Sequence, residues 1–237
     1  MKRRPSRSGE YSSPPCLLPE LQSEAQPDAP GVADPPAGAR WDEIKAWRRR
    51  SRETLIAWRV GLDAAVRRGL SERVQQRLRD SIDLQRFRTI GIYWPIRGEI
   101  NLRGLARDHL ARGGQVGLPV VVHRGAPVEF WQWEPGIDMS RGLWNIPIPR
   151  ERRIVHPDLL LVPLVGFDRQ VFRLGYGGGY YDRTLAAAAP RPFCIGVGFQ
   201  ASILPTICPQ PHDIPMDQIV TDAAVLSRAD LHPPAGH

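Results

Sequence analysis

Apolar residues recur at helical spacing from Trp41 through Ile44, Trp47 and Leu55 to Trp58, which predicts a first amphipathic helix. A second helix is placed over residues 71–82, with Ser71 as its N-cap. Residues 89–94 form a β-rich apolar run closed by Pro95 and predict a buried strand. Residues 101–112 read as a helix stopped by Gly113-Gly114, and residues 115–122 as a strand. The alternation over residues 128–133 suits a strand exposed on one face. Residues 159–165 are apolar throughout, as a central parallel strand covered on both faces requires. Residues 180–189 predict a helix ended by Pro190, followed by a buried strand over 193–199 and a short one over 218–220. This alternation predicts an α/β protein with an open, mostly parallel sheet and ligands at the carboxyl ends of its strands. No internal repeat is visible.

Composition separates the ends from the middle. Residues 1–40 hold eight prolines and five basic residues against five acidic ones, with no periodic apolar pattern. Such a segment buries too little apolar surface to offset its ordering entropy, so residues 1–40 read as a disordered Pro/Ser-rich tail. Residues 41–226 read as one α/β domain and 227–237 as a flexible C-terminal tail. The first 40 residues carry no apolar core of a secretory signal. The net charge of +7 therefore belongs to the domain and suits an anionic ligand. Weak attraction for nucleic acid would give the same charge, but no RNA-binding module accompanies it. The longest apolar run is strand-sized, so no membrane partner is expected. Cys16, Cys194 and Cys208 lack metal or redox spacing, which points to a reduced, cytoplasmic setting.

The chemistry concentrates in residues 173–183, R-L-G-Y-G-G-G-Y-Y-D-R. Gly175, Gly177, Gly178 and Gly179 remove the Cβ atoms that would hold a ligand away from the backbone. A glycine-rich loop entering a helix presents free N–H groups and a positive dipole end, which together favour phosphate. Neither the dinucleotide fingerprint nor the Walker A pattern is completed. A flexible glycine turn before a surface helix is the plainer alternative. Arg173 and Arg183 flank the loop with cations, and Asp182 places a carboxylate where a phosphate-bound Mg²⁺ could use it. Asp213 or Asp217 could complete that site. On the first helix, Lys45 and Arg49 share a face, with Arg48 and Arg52 a second pair beside them. Either they form a solvated polar face or Lys45 and Arg49 reach phosphate oxygens. Glu99 and Trp94 follow the first strand, at the expected ligand edge, where a carboxylate and a flat ring could hold an aromatic ligand. Each also has a structural reading, as a helix-start carboxylate and a core indole. Asp168 is either a ligand residue or a turn residue. No histidine, serine or cysteine grouping suggests zinc or a covalent nucleophile.

Taken in order, Lys45-x-x-x-Arg49, Gly98-Glu99-Ile100, Gly117-Leu118-Pro119, Trp144-Asn145-Ile146-Pro147 and Asp158-Leu159-Leu160-Leu161-Val162-Pro163 resemble the 5-formyltetrahydrofolate cyclo-ligase family, also called methenyltetrahydrofolate synthetase. The resemblance is strongest in Phe167-Asp168 and the glycine block, and continues through Ile195-Gly196-Val197-Gly198-Phe199 and Asp213-x-x-Met216-Asp217. It implies a three-layer α/β fold similar to the ribose-phosphate isomerase and glucosamine-phosphate deaminase group. It implies Mg-ATP-dependent conversion of 5-formyltetrahydrofolate to 5,10-methenyltetrahydrofolate, ADP and phosphate, with no covalent protein intermediate. Carried over, Lys45, Arg49, Arg173, Leu174, Gly175, Tyr176, Gly177, Gly178, Gly179, Tyr180 and Tyr181 would bind ATP. Trp94 and Glu99 would contact the reduced folate, and Asp182 and Asp213 would hold Mg²⁺. The partners implied are these small molecules alone, with a monomeric protein. A silent relative that binds folate or nucleotide is the alternative. Ile148 stands where many relatives have an acidic residue, and Trp94 where some have an aliphatic one.

Overall fold

The computed structural model describes residues 27–228. Four α-helices and thirteen strands are found among them: α1 (Trp41–Gly61), α2 (Ala64–Ser81), β1 (Thr89–Gly91), α3 (Arg103–Ala111), β2 (Gln115–Val120), β3 (Glu129–Gln132), β4 (Met139–Arg141), β5 (Pro147–Pro149), β6 (Ile154–Val155), β7 (Leu159–Pro163), β8 (Gly166–Asp168), β9 (Arg173–Leu174), α4 (Tyr180–Ala187), β10 (Phe193–Val197), β11 (Ile203–Leu204), β12 (Gln218–Val220) and β13 (Val225–Ser227).

The main sheet has eight strands in the order β13-β12-β10-β7-β1-β2-β3-β6. Its centre, β12-β10-β7-β1-β2, is parallel, and the flanking pairs are antiparallel. β7 lies between β1 and β10 and is covered on both sides, as its uninterrupted apolar sequence requires. Leu159 and Leu161 join α2 and α3 in one core, whereas Leu160 and Val162 join Leu185 of α4 in the other. Each of these β7 side chains is at most 1% exposed, which is worth about 1.5–3 kcal/mol of burial apiece. This is the three-layer α/β arrangement expected. A second, small sheet, β11-β8-β9, carries Leu174 and Leu204 against Trp47 and Leu55 of α1.

Several boundaries move. α2 begins at Ala64, because Asp63 is its N-cap and accepts from the N–H groups of Ala65 (2.7 Å) and Val66 (3.3 Å). Ser71 is buried inside that helix and returns its hydroxyl to Arg67 O at 2.9 Å. The ladder of β1 stops at Gly91, and α3 starts at Arg103, whose N–H donates to Asn101 Oδ1 at 3.1 Å. Part of the segment expected as a tail, residues 27–40, is described. Residues 27–40 run beside α1, with Asp28 O accepting from the Trp58 indole at 2.8 Å and Ala33 O from Trp47 at 2.7 Å. Residues 1–26 and 229–237, the remainder of the two expected tails, lie outside the described residues.

β1 has β2 on one side and β7 on the other, while the chain visits β2 first. The strand order therefore reverses between β1 and β7, and their carboxyl ends flank a crevice of the kind that receives ligands in open α/β sheets.

Candidate active site

Arg59, near the end of α1, fills the switch point. It is 1% exposed, and its guanidinium donates to Arg97 O beyond β1 (2.8 Å) and to Leu164 O beyond β7 (3.0 Å). A buried cation is tolerable only with its donors satisfied, and these carbonyls do that from both sides of the crevice. The same guanidinium donates to the Tyr176 hydroxyl and lies 3.6 Å from Glu99 Oε1. Glu99 is 7% exposed. Its Oε1 accepts from the Tyr176 hydroxyl at 2.8 Å and its Oε2 from the Ile96 N–H at 2.9 Å. Burial pushes the Glu99 carboxyl above its ordinary value, with Arg59 pulling the other way. Burial also pushes the Tyr176 phenol well up, so it stays protonated and donates. The turn that presents Glu99 depends on Gly98, whose φ is +76° and where a Cβ would stand 2.8 Å from Arg59 O. Trp94 is half-buried on the same segment, with the Arg103 guanidinium 5.3 Å from its ring.

Tyr176 belongs to the glycine loop that joins β9 to α4. Gly177 (φ +92°) and Gly179 (φ +64°) adopt left-handed backbone there. Among the described residues, the N–H groups of Gly177, Gly178 and Gly179 donate to no protein acceptor. α4 follows at once, and Gly179, its N-cap, offers no side-chain acceptor to the free N–H groups of the first turn. Arg52 of α1 donates to Gly175 O at 2.6 Å, and Arg183 to Gly178 O at 2.6 Å. The loop is thus a set of unpartnered donors edged by cations, which fits a polyphosphate. Trp144, exposed and at φ +57°, meets Tyr180 edge to face at 5.5 Å and walls the loop on the side of β4 and β5.

The acidic residues meet at the far side of the loop. Asp182 pairs with Arg173 at 2.7 Å and accepts from the Ile214 N–H at 3.0 Å, both on Oδ1, which leaves Oδ2 without a protein partner among the described residues. Asp213 is held by both ends of the Arg48 guanidinium, at 2.8 and 3.2 Å, and accepts from Gln210 N–H. Burial acts to raise the Asp213 carboxyl, but Arg48 and Gln210 prevail and keep it below the usual carboxylate range. Asp217 points elsewhere, to Arg191 and Cys194 N–H. Asp168 accepts from the N–H groups of Gln170, Phe172 and Ile207, so of its two readings the turn residue holds.

Lys45 and Arg49 are exposed, whereas Arg48 and Arg52 face Asp213 and the loop. Tyr181 is packed behind the loop, beside Arg173. Sequence reasoning assigned no role to Arg59, Arg97 or Trp144. A signal for Arg59 existed in its place beside the apolar stripe of the first helix.

The sequence profile of the 5-formyltetrahydrofolate cyclo-ligase family matches residues 44–222. The chain is 32% identical to the 5-formyltetrahydrofolate cyclo-ligase of Mycolicibacterium smegmatis, over 72% of this chain and 91% of that one. It is 26% identical to the Haemophilus influenzae cyclo-ligase, over 73% and 96%. Among solved structures, the Aquifex aeolicus 5,10-methenyltetrahydrofolate synthetase superposes with a TM-score of 0.69 at 28% identity, covering 80% of this chain and 97% of the other.

Proposed function

The chain belongs to the 5-formyltetrahydrofolate cyclo-ligase family, and from that premise we propose how its residues divide the reaction. The reaction is the ATP-dependent cyclisation of 5-formyltetrahydrofolate to 5,10-methenyltetrahydrofolate. The observation that carries the assignment is one contact: a loop of unpartnered N–H groups, suited to a polyphosphate, touches a buried carboxylate at the sheet's switch point through Tyr176.

A formamide oxygen is a poor leaving group. Transfer of the γ-phosphoryl from ATP to the N5-formyl oxygen turns it into a phosphate ester on an iminium carbon. N10 attacks that carbon and gives up its proton to solvent, the five-membered ring closes, and inorganic phosphate leaves. Catalysis of this kind is positioning and charge neutralisation, which agrees with the absence of a nucleophilic triad from the sequence. In our reading, the loop from Arg173 to Tyr181 cradles the triphosphate. Arg52 borders it from α1, and Lys45 and Arg49 extend the same stripe into solvent. Glu99 accepts hydrogen bonds from the pterin, and Trp94 gives it an apolar wall. Mg²⁺, once bound, neutralises phosphate charge. Asp182 suits it through its free Oδ2, because Mg²⁺ needs only one or two carboxylates beside phosphate and water. Asp213 lies beside Ile214, whose N–H bonds Asp182, and would join the metal only by exchanging Arg48.

No helix among the described residues is long and apolar enough to cross a membrane. We place the protein in the cytoplasm, as a monomer; its free Cys194 and Cys208 agree with a reducing setting. The deciding experiment follows the absorbance of the methenyl product from 5-formyltetrahydrofolate with and without Mg-ATP. Product that forms only with ATP supports the assignment. Folate binding with no turnover would identify a silent relative instead.

A further inference from the structure

Glu99 is closed off from solvent, so a ligand reaches its carboxylate only by displacing a neighbour. Its partners differ in how firmly they are held. Ile96 contributes a backbone N–H within the Glu99 turn itself. Arg59 is fixed by Leu164 O and Arg97 O. Tyr176 is 40% exposed and stands between Gly175 and Gly177, on a loop whose next three N–H groups have no protein acceptor. Its hydroxyl accepts from Arg59 and donates to Glu99 Oε1, and its ring lies 5.5 and 5.9 Å from the guanidinium carbons of Arg59 and Arg97. One residue of the phosphate loop therefore sits where the folate's own donor would bond.

We propose that the Tyr176 hydroxyl is a stand-in for the substrate's N–H donor on Glu99, and that this contact couples the folate site to the nucleotide loop. The proposal rests on the assignment of Glu99 to the folate and of the glycine loop to the triphosphate. Folate that takes Glu99 releases Tyr176, and the freed loop can then settle on the phosphates. Nucleotide that draws the loop outward bares Glu99. The two ligands must then strengthen each other by the same factor. Without nucleotide, folate binds only the fraction of molecules in which Tyr176 has let go.

The test is calorimetric titration of the full chain, wild type and Tyr176→Phe, with 5-formyltetrahydrofolate. Each is titrated alone and with a saturating non-hydrolysable ATP analogue and Mg²⁺. Phenylalanine keeps the ring and removes the hydroxyl that donates to Glu99 and accepts from Arg59. A hydrogen bond to a charged group corresponds to an effect of about tenfold or more. The wild type should bind folate about tenfold more tightly with the analogue present than without it. The variant should bind folate alone about as tightly as the nucleotide-loaded wild type does, with little further gain from the analogue. A variant that binds folate more weakly in both conditions would make Tyr176 a direct substrate contact and overturn the proposal, as would an unchanged coupling factor. Glu99→Gln separates the two levels: if it leaves folate affinity intact, the assignment of Glu99 itself fails, however Tyr176→Phe behaves.

Discussion

Replacing Arg52 with alanine tests the proposed phosphate role of the glycine loop from the side of α1. Lys45, Arg49 and Arg52 stand at i, i+4 and i+7, one stripe of a helix, but they differ in setting. Arg52 is half-buried and already donates to Gly175 O at 2.6 Å, so its guanidinium lies at the loop before any ligand arrives. A charged, partly desolvated hydrogen bond to phosphate is worth about 1.5–3 kcal/mol, which corresponds to a rise in the KM for ATP of about tenfold to a hundredfold. Lys45 and Arg49 are exposed, and exposed ion pairs contribute about 0–1 kcal/mol, so Lys45→Ala and Arg49→Ala should each raise that KM by at most about fivefold. The assay is the initial rate of methenyl-folate absorbance against ATP concentration, at saturating folate and Mg²⁺, with kcat and KM fitted separately. Loss of Arg52 leaves Gly175 O near solvent, where water replaces the donor, so the melting temperature should move little. The reasoning fails if Lys45→Ala or Arg49→Ala raises the KM more than Arg52→Ala does, or if Arg52→Ala leaves ATP kinetics unchanged.

Asp182→Asn removes the carboxylate whose Oδ2 is free for metal, and the Mg²⁺ concentration for half-maximal rate should rise by at least about tenfold; normal metal dependence would count against the role. Asp213→Asn leaves Arg48 buried without its counter-charge and should cost about 3–5 kcal/mol at neutral pH, measured by urea unfolding. Because the folded Asp213 carboxyl titrates below its unfolded value, its contribution is complete above about pH 4 and is lost as pH falls through the folded value. The gap between wild type and variant should therefore close in acid, and a gap independent of pH would rule out the ion pair as its source. Gly98→Ala should destabilise by about 1–3 kcal/mol from its left-handed φ, and should raise the folate KM as the clash with Arg59 O shifts the Glu99 turn; an unchanged melting temperature would show that the turn adapts freely.

The central strands were legible because burial on both faces leaves no room for polar residues, so residues 159–163 read as a strand without any knowledge of their neighbours. The glycine loop was legible because residues 175–179 hold four glycines and no hydrophobic contact explains them. β8, β9 and β11 were not, since strands of two or three residues are too short to show a period. The sequence pattern places the start of α2 too late because its first turns, A-A-V-R-R-G, carry no apolar stripe, and only the Asp63 side chain marks where the helix begins.

The cations of α1 show how far spacing reaches. Lys45–Arg49 and Arg48–Arg52 share the same four-residue spacing, so spacing alone cannot choose between them. Phase can. At about 100° per residue, Ile44, Trp47, Ser51, Leu55 and Trp58 centre an inward stripe, and Arg48 and Arg59 fall within about 60–80° of that centre. Arg52 lies at about 100°, Lys45 at about 120° and Arg49 at about 160°. The order predicts Arg48 and Arg59 buried, Arg52 at the boundary and Arg49 in solvent, and the structure has them so. What phase could not supply is the reason a buried arginine is tolerable at position 59. Its acceptors, Arg97 O and Leu164 O, lie 38 and 105 positions further along the chain and meet only once β1 and β7 are side by side. An arginine on an apolar stripe is therefore a local mark of a long-range acceptor set, and in an open α/β sheet the carbonyls freed at strand ends gather at the switch point. The same side chain that closes the gap between the strands thereby faces Glu99, which ties the folding of the sheet to the charge of the pocket proposed for the folate.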